Sequence, residues 1–164
     1  MRENLSSFEI LGAEDNPQRK AIEECPKGAV LGIDGQGETG CGALGDILVA
    51  RLKHRGVVGV VADCAMRDAA GIAPLGLPIW CSGAAAPPNI GALALGDRQT
   101  RIGCGGVAVD PGDVIVADGD GVAVIPSALA DEVARDGAEQ ERFERFVQIK
   151  VTKRRVHHRA LPTE

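Results

Sequence analysis

One stretch of this 164-residue chain decides its fold, and it reads Gly42-Ala-Leu-Gly-Asp-Ile-Leu-Val-Ala-Arg-Leu-Lys-His-Arg-Gly-Val-Val-Gly-Val-Val-Ala-Asp-Cys-Ala-Met-Arg-Asp68. Apolar residues recur at helical spacing from Gly42 to Arg55, and Gly56 stands where a helix C-cap belongs, so a helix is predicted there. The β-branched run Val57–Val61 then predicts a strand that is buried on both faces, as in parallel sheets. Arg67 and Asp68 follow the carboxyl end of this strand.

The flanking sequence extends this helix–strand unit into an α/β domain. Upstream, Asn16 and Pro17 predict the start of a short helix, and Val30–Ile33 predicts a strand that follows a turn at Gly28. Downstream, the pattern predicts short strands at 77–81, 107–109, 114–117 and 122–125, a long loop at 82–100, and a closing helix from a Ser127 cap to about residue 148. No internal repeat interrupts this order, so a single domain is expected.

Composition excludes several classes of protein. The net charge of −5 argues against nucleic-acid binding, because Lys and Arg supply most non-specific affinity for phosphate. No apolar run approaches the roughly 20 residues that span a bilayer, and residues 1–8 do not have the pattern of a secretory signal, so a cytoplasmic protein is expected. The five cysteines are scattered without CxxC spacing, which favours neither a disulfide framework nor a thiolate zinc site. The basic cluster at 150–159 is interpreted as a solvated tail.

Two places carry residue types that suit a small-molecule site. The glycine-rich loop from Gly35 to Asp46 has neither P-loop nor dinucleotide-binding spacing, but its backbone N–H groups from Gly42 to Leu48 suit a small carboxylate such as a 2-oxo acid. The pair Arg67-Asp68 offers a planar cation for a developing negative oxygen and a hard oxygen ligand for Mg²⁺ or Mn²⁺. On composition and position alone, a surface ion pair remains the alternative for Arg67-Asp68.

The remaining candidates have simpler interpretations. Four aspartates fit turn positions, where Asp bonds its own backbone: Asp110, Asp113, Asp118 and Asp120. Cys64 is the best-placed thiol, but no base lies nearby in the sequence to activate it. Glu139, Glu141 and Glu144 fall on the solvated face of the predicted last helix.

A combination of motifs within residues 12–147 nevertheless matches a known pattern. The motifs are the run Gly45–Gly56, the run Val57–Asp63, Arg67-Asp68, Leu77-Pro-Ile-Trp80, Gly105-Gly-Val107, Pro111-Gly-Asp113 and Ala117-Asp-Gly-Asp-Gly-Val122. Together they resemble the regulator of ribonuclease activity A-like (RraA-like) family, in its branch of class II 4-hydroxy-4-methyl-2-oxoglutarate and 4-carboxy-4-hydroxy-2-oxoadipate aldolases.

The resemblance implies both a fold and an activity. The fold would be a β/β/α swivelling-type layered sandwich over residues 12–149, between an N-terminal lead (1–11) and a basic C-terminal tail (150–164). It would assemble as a homotrimer or hexamer with active sites between subunits. The activity would be that of a carbon–carbon lyase that uses Mg²⁺ or Mn²⁺ to cleave 4-hydroxy-2-oxo acids to pyruvate, and to decarboxylate oxaloacetate.

The resemblance also assigns roles to residues. Asp68 would ligate the metal, and Arg67 would bind the oxo-acid oxygen and stabilise the enolate. Gly45, Asp46, Ile47 and Leu48 would form the carboxylate site through backbone amides, and Asp46 would also hold a metal-bound water that shuttles the proton. A further metal ligand, Glu144, would reach the site from the last helix of a neighbouring subunit, with Glu141 and Glu139 as alternatives.

Two departures from the family pattern bear on these expectations. Cys64 stands where the family usually has glycine, which is expected to crowd the metal site, and the domain is expected to be shortened at its N-terminus. The shortening keeps open an alternative function, a non-catalytic regulator of ribonuclease activity that binds a protein partner. The family's regulator branch does not carry the aspartate of the Arg-Asp pair, so Asp68 favours the lyase.

Overall fold

The chain folds as a layered α/β domain in a computed structural model that describes residues 16–94 and 96–153. The predicted lead at 1–11 and the tail beyond residue 153 lie outside the described residues. The helices are α1 (Pro17–Glu24), α2 (Asp46–Arg55), α3 (Ala69–Ile72) and α4 (Ala130–Lys153), with 3₁₀ turns at Ala73–Leu75, Asn89–Gly91 and Ser127–Leu129. The strands are β1 (Val30–Ile33), β2 (Gly59–Ala62), β3 (Ala65–Met66), β4 (Ile79–Trp80), β5 (Gly83–Ala84), β6 (Ile102–Cys104), β7 (Val107–Val109), β8 (Val114–Ala117) and β9 (Val122–Ile125).

A parallel sheet of order β1-β2-β4 forms the centre of the domain. Val30 pairs with Gly59 at one end of the β1–β2 ladder, and Ile33 pairs with Ala62 at the other. Since parallel strands require a crossover, α2 connects β1 to β2. The short strands β3 and β5 form a second parallel pair, which continues from the carboxyl ends of β2 and β4. The hairpins β6–β7 and β8–β9 follow.

The main hydrophobic core lies between the helices and the parallel sheet. Val49 and Leu52 of α2 and Val60 of β2 are fully buried, and Ile22 of α1 joins them. The β6–β7 hairpin contacts the end of β1, where the Gly103 amide donates to Oδ2 of Asp34. The result is a helix layer, a parallel sheet and a set of hairpins.

Most predicted elements are confirmed, and several of their boundaries are shifted. The strand at Val30–Ile33 and the Asn16 cap are as predicted, since Asn16 Oδ1 accepts from the amides of Gln18 and Arg19. The predicted start of the second helix at Gly42 is wrong: α2 starts at Asp46, because the Gly42 and Ala43 amides donate to Pro87 and Ala65.

The strand predicted at Val57–Val61 begins later. The Val57 amide completes the C-terminal end of α2 by donating to the Leu52 carbonyl, so β2 begins at Gly59. Gly59, Val60 and Ala62 are buried, as expected for a central strand, whereas Val58 is half exposed.

The second half of the chain differs more from the prediction. Strands β3, β5 and β6 were not expected, and β5 lies inside the segment predicted as a long loop. Ser127 does not cap the last helix; its amide donates to Asp113 in a 3₁₀ turn, and α4 begins at Ala130 and continues to Lys153. Among the described helices, none combines the length and apolarity needed to cross a bilayer.

Candidate functional site

The glycine-rich loop and the Arg67-Asp68 turn are held together by backbone hydrogen bonds. The Ala43 amide donates to the Ala65 carbonyl, and the Arg67 amide donates to the Leu44 carbonyl, each over 2.8 Å. These two hydrogen bonds follow the pattern of a β-sheet. They hold the start of α2 beside Arg67 and Asp68, which follow β3. The structure therefore brings the two predicted parts of the site to one place.

Gly45 is the point where the two parts meet. It is the N-cap of α2, with extended backbone that any residue can adopt (φ −110°, ψ 179°). Space is the constraint instead: a β-carbon on Gly45 would lie 2.5 Å from Oδ2 of Asp68 and 3.1 Å from Nη2 of Arg67. The carboxylate and the guanidinium thus lie directly against the N-terminus of α2, where backbone N–H groups and the helix dipole favour anions.

The Asp68 carboxylate makes no helix-capping hydrogen bond. Its backbone is left-handed (φ 55°, ψ 39°), a conformation that aspartate tolerates better than most residues, and it occupies the N-cap of α3 without a side-chain capping bond. Its carbonyl accepts the Gly71 and Ile72 amides instead. Oδ2 is 3.6 Å from Nε of Arg67, which is an ion pair too long for a hydrogen bond, and 43 % of the side chain is exposed.

Asp46 is the first residue of α2 and lies beside the same turn. Its Oδ1 accepts from the Ile47 amide over 2.7 Å, and its Oδ2 faces Gly71 of α3. A substrate carboxylate at this helix end would therefore compete with Asp46 for the Ile47 donor. Of the other predicted residues, the Ile47 side chain is 79 % exposed, and Leu48 packs against the core.

Glu144 lies outside this cluster within one chain. It belongs to α4, where every side chain from Asp131 to Thr152 is exposed, and its Oε1 accepts from Nε2 of Gln140. Within residues 16–94 and 96–153, no three His, Cys, Asp or Glu side chains are gathered as metal ligands. One chain thus offers the carboxylates of Asp68 and Asp46 at the site.

The Cys64 side chain belongs to the main hydrophobic core, close in the chain to Arg67 and Asp68. It is fully buried, and burial raises the pKa of its thiol to about 11, so a thiolate nucleophile is disfavoured at neutral pH. A β-carbon on Gly35 would lie 2.6 Å from its sulfur, which shows that Sγ faces the Gly35 turn. The neighbouring Asp63 also holds this turn, because its Oδ1 accepts the Gly35 amide over 2.6 Å.

The turn roles expected for the aspartates are seen at two positions. Asp118 Oδ1 accepts the Asp120 and Gly121 amides, and Asp113 accepts the Asp110 and Ser127 amides. These carboxylates stabilise the β8–β9 hairpin and its flanks.

A large groove in the described part of the chain lies beside the glycine-rich loop. It encloses about 1550 Å³ between β1 and the two hairpins. That volume exceeds the roughly 300–1,000 Å³ of a typical small-ligand pocket. Its walls contain Ala43 and Leu44 of the glycine-rich loop but neither Arg67 nor Asp68.

Comparison with known proteins shows the family of this chain. The RraA-like family model, described as Aldolase/RraA, matches residues 8–124. The chain belongs to the RraA-like family. An RraA-like relative from Halalkalibacterium halodurans, named "Putative 4-hydroxy-4-methyl-2-oxoglutarate aldolase", is 36% identical over 124 residues, which is 74% of this chain and 58% of that protein. This chain therefore spans less than two thirds of that relative's length.

Two further relatives extend the comparison. A protein of Alkalilimnicola ehrlichii with the same name is 32% identical over 117 residues, covering 71% of this chain and 72% of that protein. The crystal structure of Streptomyces coelicolor RraAS2, described as "an unusual member of the RNase ES inhibitor RraA protein family", superposes with a TM-score of 0.76 at 34% identity, over 80% of this chain and 67% of that one. The RraA-like fold is thus shared, and relatives carry both aldolase and ribonuclease-inhibitor names.

Sequence reasoning did not single out the glycine that faces Asp46. Gly71 lies in α3, three residues after Asp68, inside a run of small residues. Its three nearest neighbours, measured from a β-carbon built on it, all belong to Asp46. No sequence pattern links positions 46 and 71, because the contact depends on the packing of α2 against α3.

Proposed function

We propose that this RraA-like protein is a divalent-metal-dependent lyase that cleaves 4-hydroxy-2-oxo acids to pyruvate and decarboxylates oxaloacetate. One observation carries the proposal: the N-terminus of α2 at Gly45 lies against both Arg67 and Asp68. An anion-binding helix end, a fixed cation and an available carboxylate are the groups that a small 2-oxo acid and its enolate need. The aldolase names of two relatives support the lyase class.

The donor set fits Mg²⁺ or Mn²⁺. Asp68 is partly exposed and makes no capping bond, and Mg²⁺ is commonly bound by one or two carboxylates while it keeps several waters. Asp68 would hold the ion directly, and Asp46, which lies against Gly71 just after Asp68, would reach it through water. When bound, such an ion would act as a Lewis acid that polarises the 2-oxo group of the substrate.

The residues of the chain would then carry the remaining steps. Backbone amides at Gly45–Leu48 would bind the substrate carboxylate at the start of α2. In aldol cleavage the C4 hydroxyl would give its proton to the water held by Asp46, the C3–C4 bond would break, and C4 would become the carbonyl carbon of the second product. The electron pair of the broken bond would form the pyruvate enolate, whose oxygen would face Arg67. The same water would return a proton to C3 and so complete pyruvate. Decarboxylation breaks the corresponding bond in oxaloacetate and releases CO₂.

Assembly into a homotrimer or hexamer would complete the site. Helix α4 has contacts mainly with the preceding 3₁₀ turn, and its exposed apolar residues include Phe143, Phe146 and Val147. Such an apolar face is suited to packing on another subunit. A neighbouring subunit would supply Glu144 as the third carboxylate. The expected setting is the cytoplasm, without membrane or nucleic-acid partners.

A coupled assay tests the proposal. Pyruvate release from 4-hydroxy-4-methyl-2-oxoglutarate and from oxaloacetate is followed with lactate dehydrogenase and NADH, with Mg²⁺, with Mn²⁺ and with EDTA. Metal-dependent turnover is expected in the unaltered protein and in Asp120→Asn, an exposed turn residue remote in sequence from the site. Turnover should fall to background in Asp68→Ala. Equal activity in Asp68→Ala, or metal-independent turnover, would reject the proposed lyase.

The same protein preparation tests the alternative function, a non-catalytic regulator of ribonuclease activity. The Streptomyces coelicolor relative belongs to a family described by its inhibition of a ribonuclease, so the chain is also added to a ribonuclease E-type enzyme with a fluorescent RNA substrate. Inhibition without any pyruvate release would favour a regulator that binds a protein partner.

A further inference from the structure

Two carboxylates pack against two glycines where α2 contacts α3. Asp68, at the N-cap of α3, lies against Gly45 at the N-cap of α2. Asp46, at the start of α2, lies in turn against Gly71 of α3. Each acidic side chain thus occupies space that the glycine of the other helix leaves open. Gly45 belongs to the motif that identified the family, whereas Gly71 belongs to none of the motifs that did so.

The three heavy atoms nearest to a β-carbon built on Gly71 all belong to Asp46. A β-carbon at position 71 would lie 2.8 Å from Oδ2, 3.1 Å from Cβ and 3.3 Å from Cγ of Asp46. A distance below about 3.5 Å between carbon atoms is already repulsive. The Asp46 side chain would therefore have to rotate, and its bond to the Ile47 amide would be disturbed.

Backbone conformation does not explain the glycine. Gly71 is not among the described residues with positive φ; it lies within α3, where its amide donates to the Asp68 carbonyl. Alanine is compatible with that conformation and has the higher helix propensity. A glycine at this position lowers the helix propensity of α3, and the room it leaves is filled by the Asp46 carboxylate.

We propose that Gly71 is a positioning residue of the candidate site, which fixes the Asp46 carboxylate in the place from which it holds the water that carries the proton. This inference rests on the proposed lyase function. Position 71 then controls the proton-transfer step without touching the substrate. Any β-carbon at position 71 displaces Asp46 and slows turnover, although the fold is retained.

The experiment compares Gly71→Ala with a matched control, Gly137→Ala. Gly137 is also a helical glycine, and a β-carbon on it would have open space around it. Gly137→Ala gains helix propensity without a close contact and should keep its melting temperature, whereas in Gly71→Ala that gain is opposed by the displacement of Asp46, so circular dichroism is used to show that the fold is kept. We expect kcat for pyruvate release to fall about 100-fold in Gly71→Ala, with KM nearly unchanged, because misplacement of a reacting group by about 1 Å has an effect of that order. Gly137→Ala should keep the original kcat.

A double-mutant comparison separates positioning from a general structural effect. In an Asp46→Ala background the colliding Oδ2 and Cγ are gone, so adding Gly71→Ala should leave the remaining kcat unchanged within about twofold. An equal loss in both backgrounds would overturn the proposal, because the effect would then not pass through Asp46. Unchanged kcat in the single variant Gly71→Ala would overturn it as well.

A crystal structure of Gly71→Ala gives a readout that does not depend on activity. The Asp46 carboxylate should be rotated away from α3, with its bond to the Ile47 amide broken or lengthened. If the unaltered protein releases no pyruvate, the proposed lyase fails, and this structure still decides the role of Gly71. An Asp46 side chain in its original position would show that Gly71 does not fix it.

Discussion

At the scale of single residues, Arg67 is distinguished by its fixed geometry beside the helix end. Its guanidinium lies against Gly45, and its backbone is held by the Leu44 carbonyl. Lysine would keep the charge but not the planar set of donors. We expect kcat of Arg67→Lys to fall about 100-fold, the effect of removing one oxyanion donor. Arg101→Lys, at an exposed pair with Asp110, is the control that should keep its rate in the same assay.

Two cysteines should differ sharply in reactivity. Burial raises the pKa of the Cys64 thiol to about 11, so almost none of it is thiolate at pH 8, whereas Cys81 is exposed. Treatment of the folded protein with iodoacetamide at pH 8, followed by mass spectrometry, should label Cys81 and leave Cys64 unmodified. Both should react in guanidinium. Rapid labelling of Cys64 in the folded protein would mean that the turn at Gly35 opens readily.

Sequence motifs identified Asp46, Arg67 and Asp68 as candidates, and the structure brings them together at one helix end. The same motifs could not identify Gly71. Its contact with Asp46 joins residues 25 positions apart, and it arises only when α2 packs on α3. Spatial contacts of this kind are not encoded in local periodicity.

At the scale of elements, α2 is the helix that anchors the site to the core. Its Leu52 side chain is fully buried among residues of the main cluster. Leu52→Ala should lower the free energy of unfolding by about 2–5 kcal/mol, through lost burial and the cavity left behind. Leu129→Ala, at a half-exposed position, should cost about 0.5 kcal/mol or less. Urea denaturation at one protein concentration measures both, and equal losses would contradict the assignment of the core.

The stabilisation that an ion pair between α1 and α2 gives to the folded chain should depend on pH. Glu23 accepts two hydrogen bonds from Arg51 and lies near Arg55, and these bonds hold the pKa of its carboxyl at about 2, below the usual 4.5. Because the folded-state pKa is depressed, the stabilisation is complete above pH 4.5 and is lost as the pH falls toward 2. The difference in Tm between the unaltered chain and Glu23→Gln should therefore be larger at pH 7 than at pH 3. A difference independent of pH would contradict this.

The predicted secondary structure differs from the observed one where tertiary contacts determine the backbone conformation. Helical periodicity continued back to Gly42, but the Gly42 and Ala43 amides bond to Pro87 and Ala65, and this keeps the segment extended. The two-residue strands β3 and β5 are too short to show alternation, and their pairing depends on the positions of β2 and β4. Val30–Ile33, by contrast, was predictable because its apolar run follows a glycine turn.

At the scale of the whole molecule, the exposed helix α4 makes a test of assembly possible. If Glu144 completes the site of a neighbouring subunit, Asp68→Ala and Glu144→Gln remove ligands that belong to the same site but to different chains. Each variant alone should be inactive. Mixed and reassembled in equal amounts, they should recover about one quarter of the original activity, because one pairing in four unites an intact Asp68 with an intact Glu144. No recovery from mixed subunits would place Glu144 outside the site.

Under the proposed function, Asp68, beside Arg67 and the start of α2, holds the metal on which turnover depends. The most direct measurement is the rate of pyruvate release from 4-hydroxy-4-methyl-2-oxoglutarate as Mn²⁺ is titrated into the EDTA-treated protein and into Asp68→Asn. This substitution keeps the size of the side chain and removes its charge. A saturable rise in rate for the unaltered protein, absent in Asp68→Asn, is the predicted result. The same metal dependence in both proteins would contradict it.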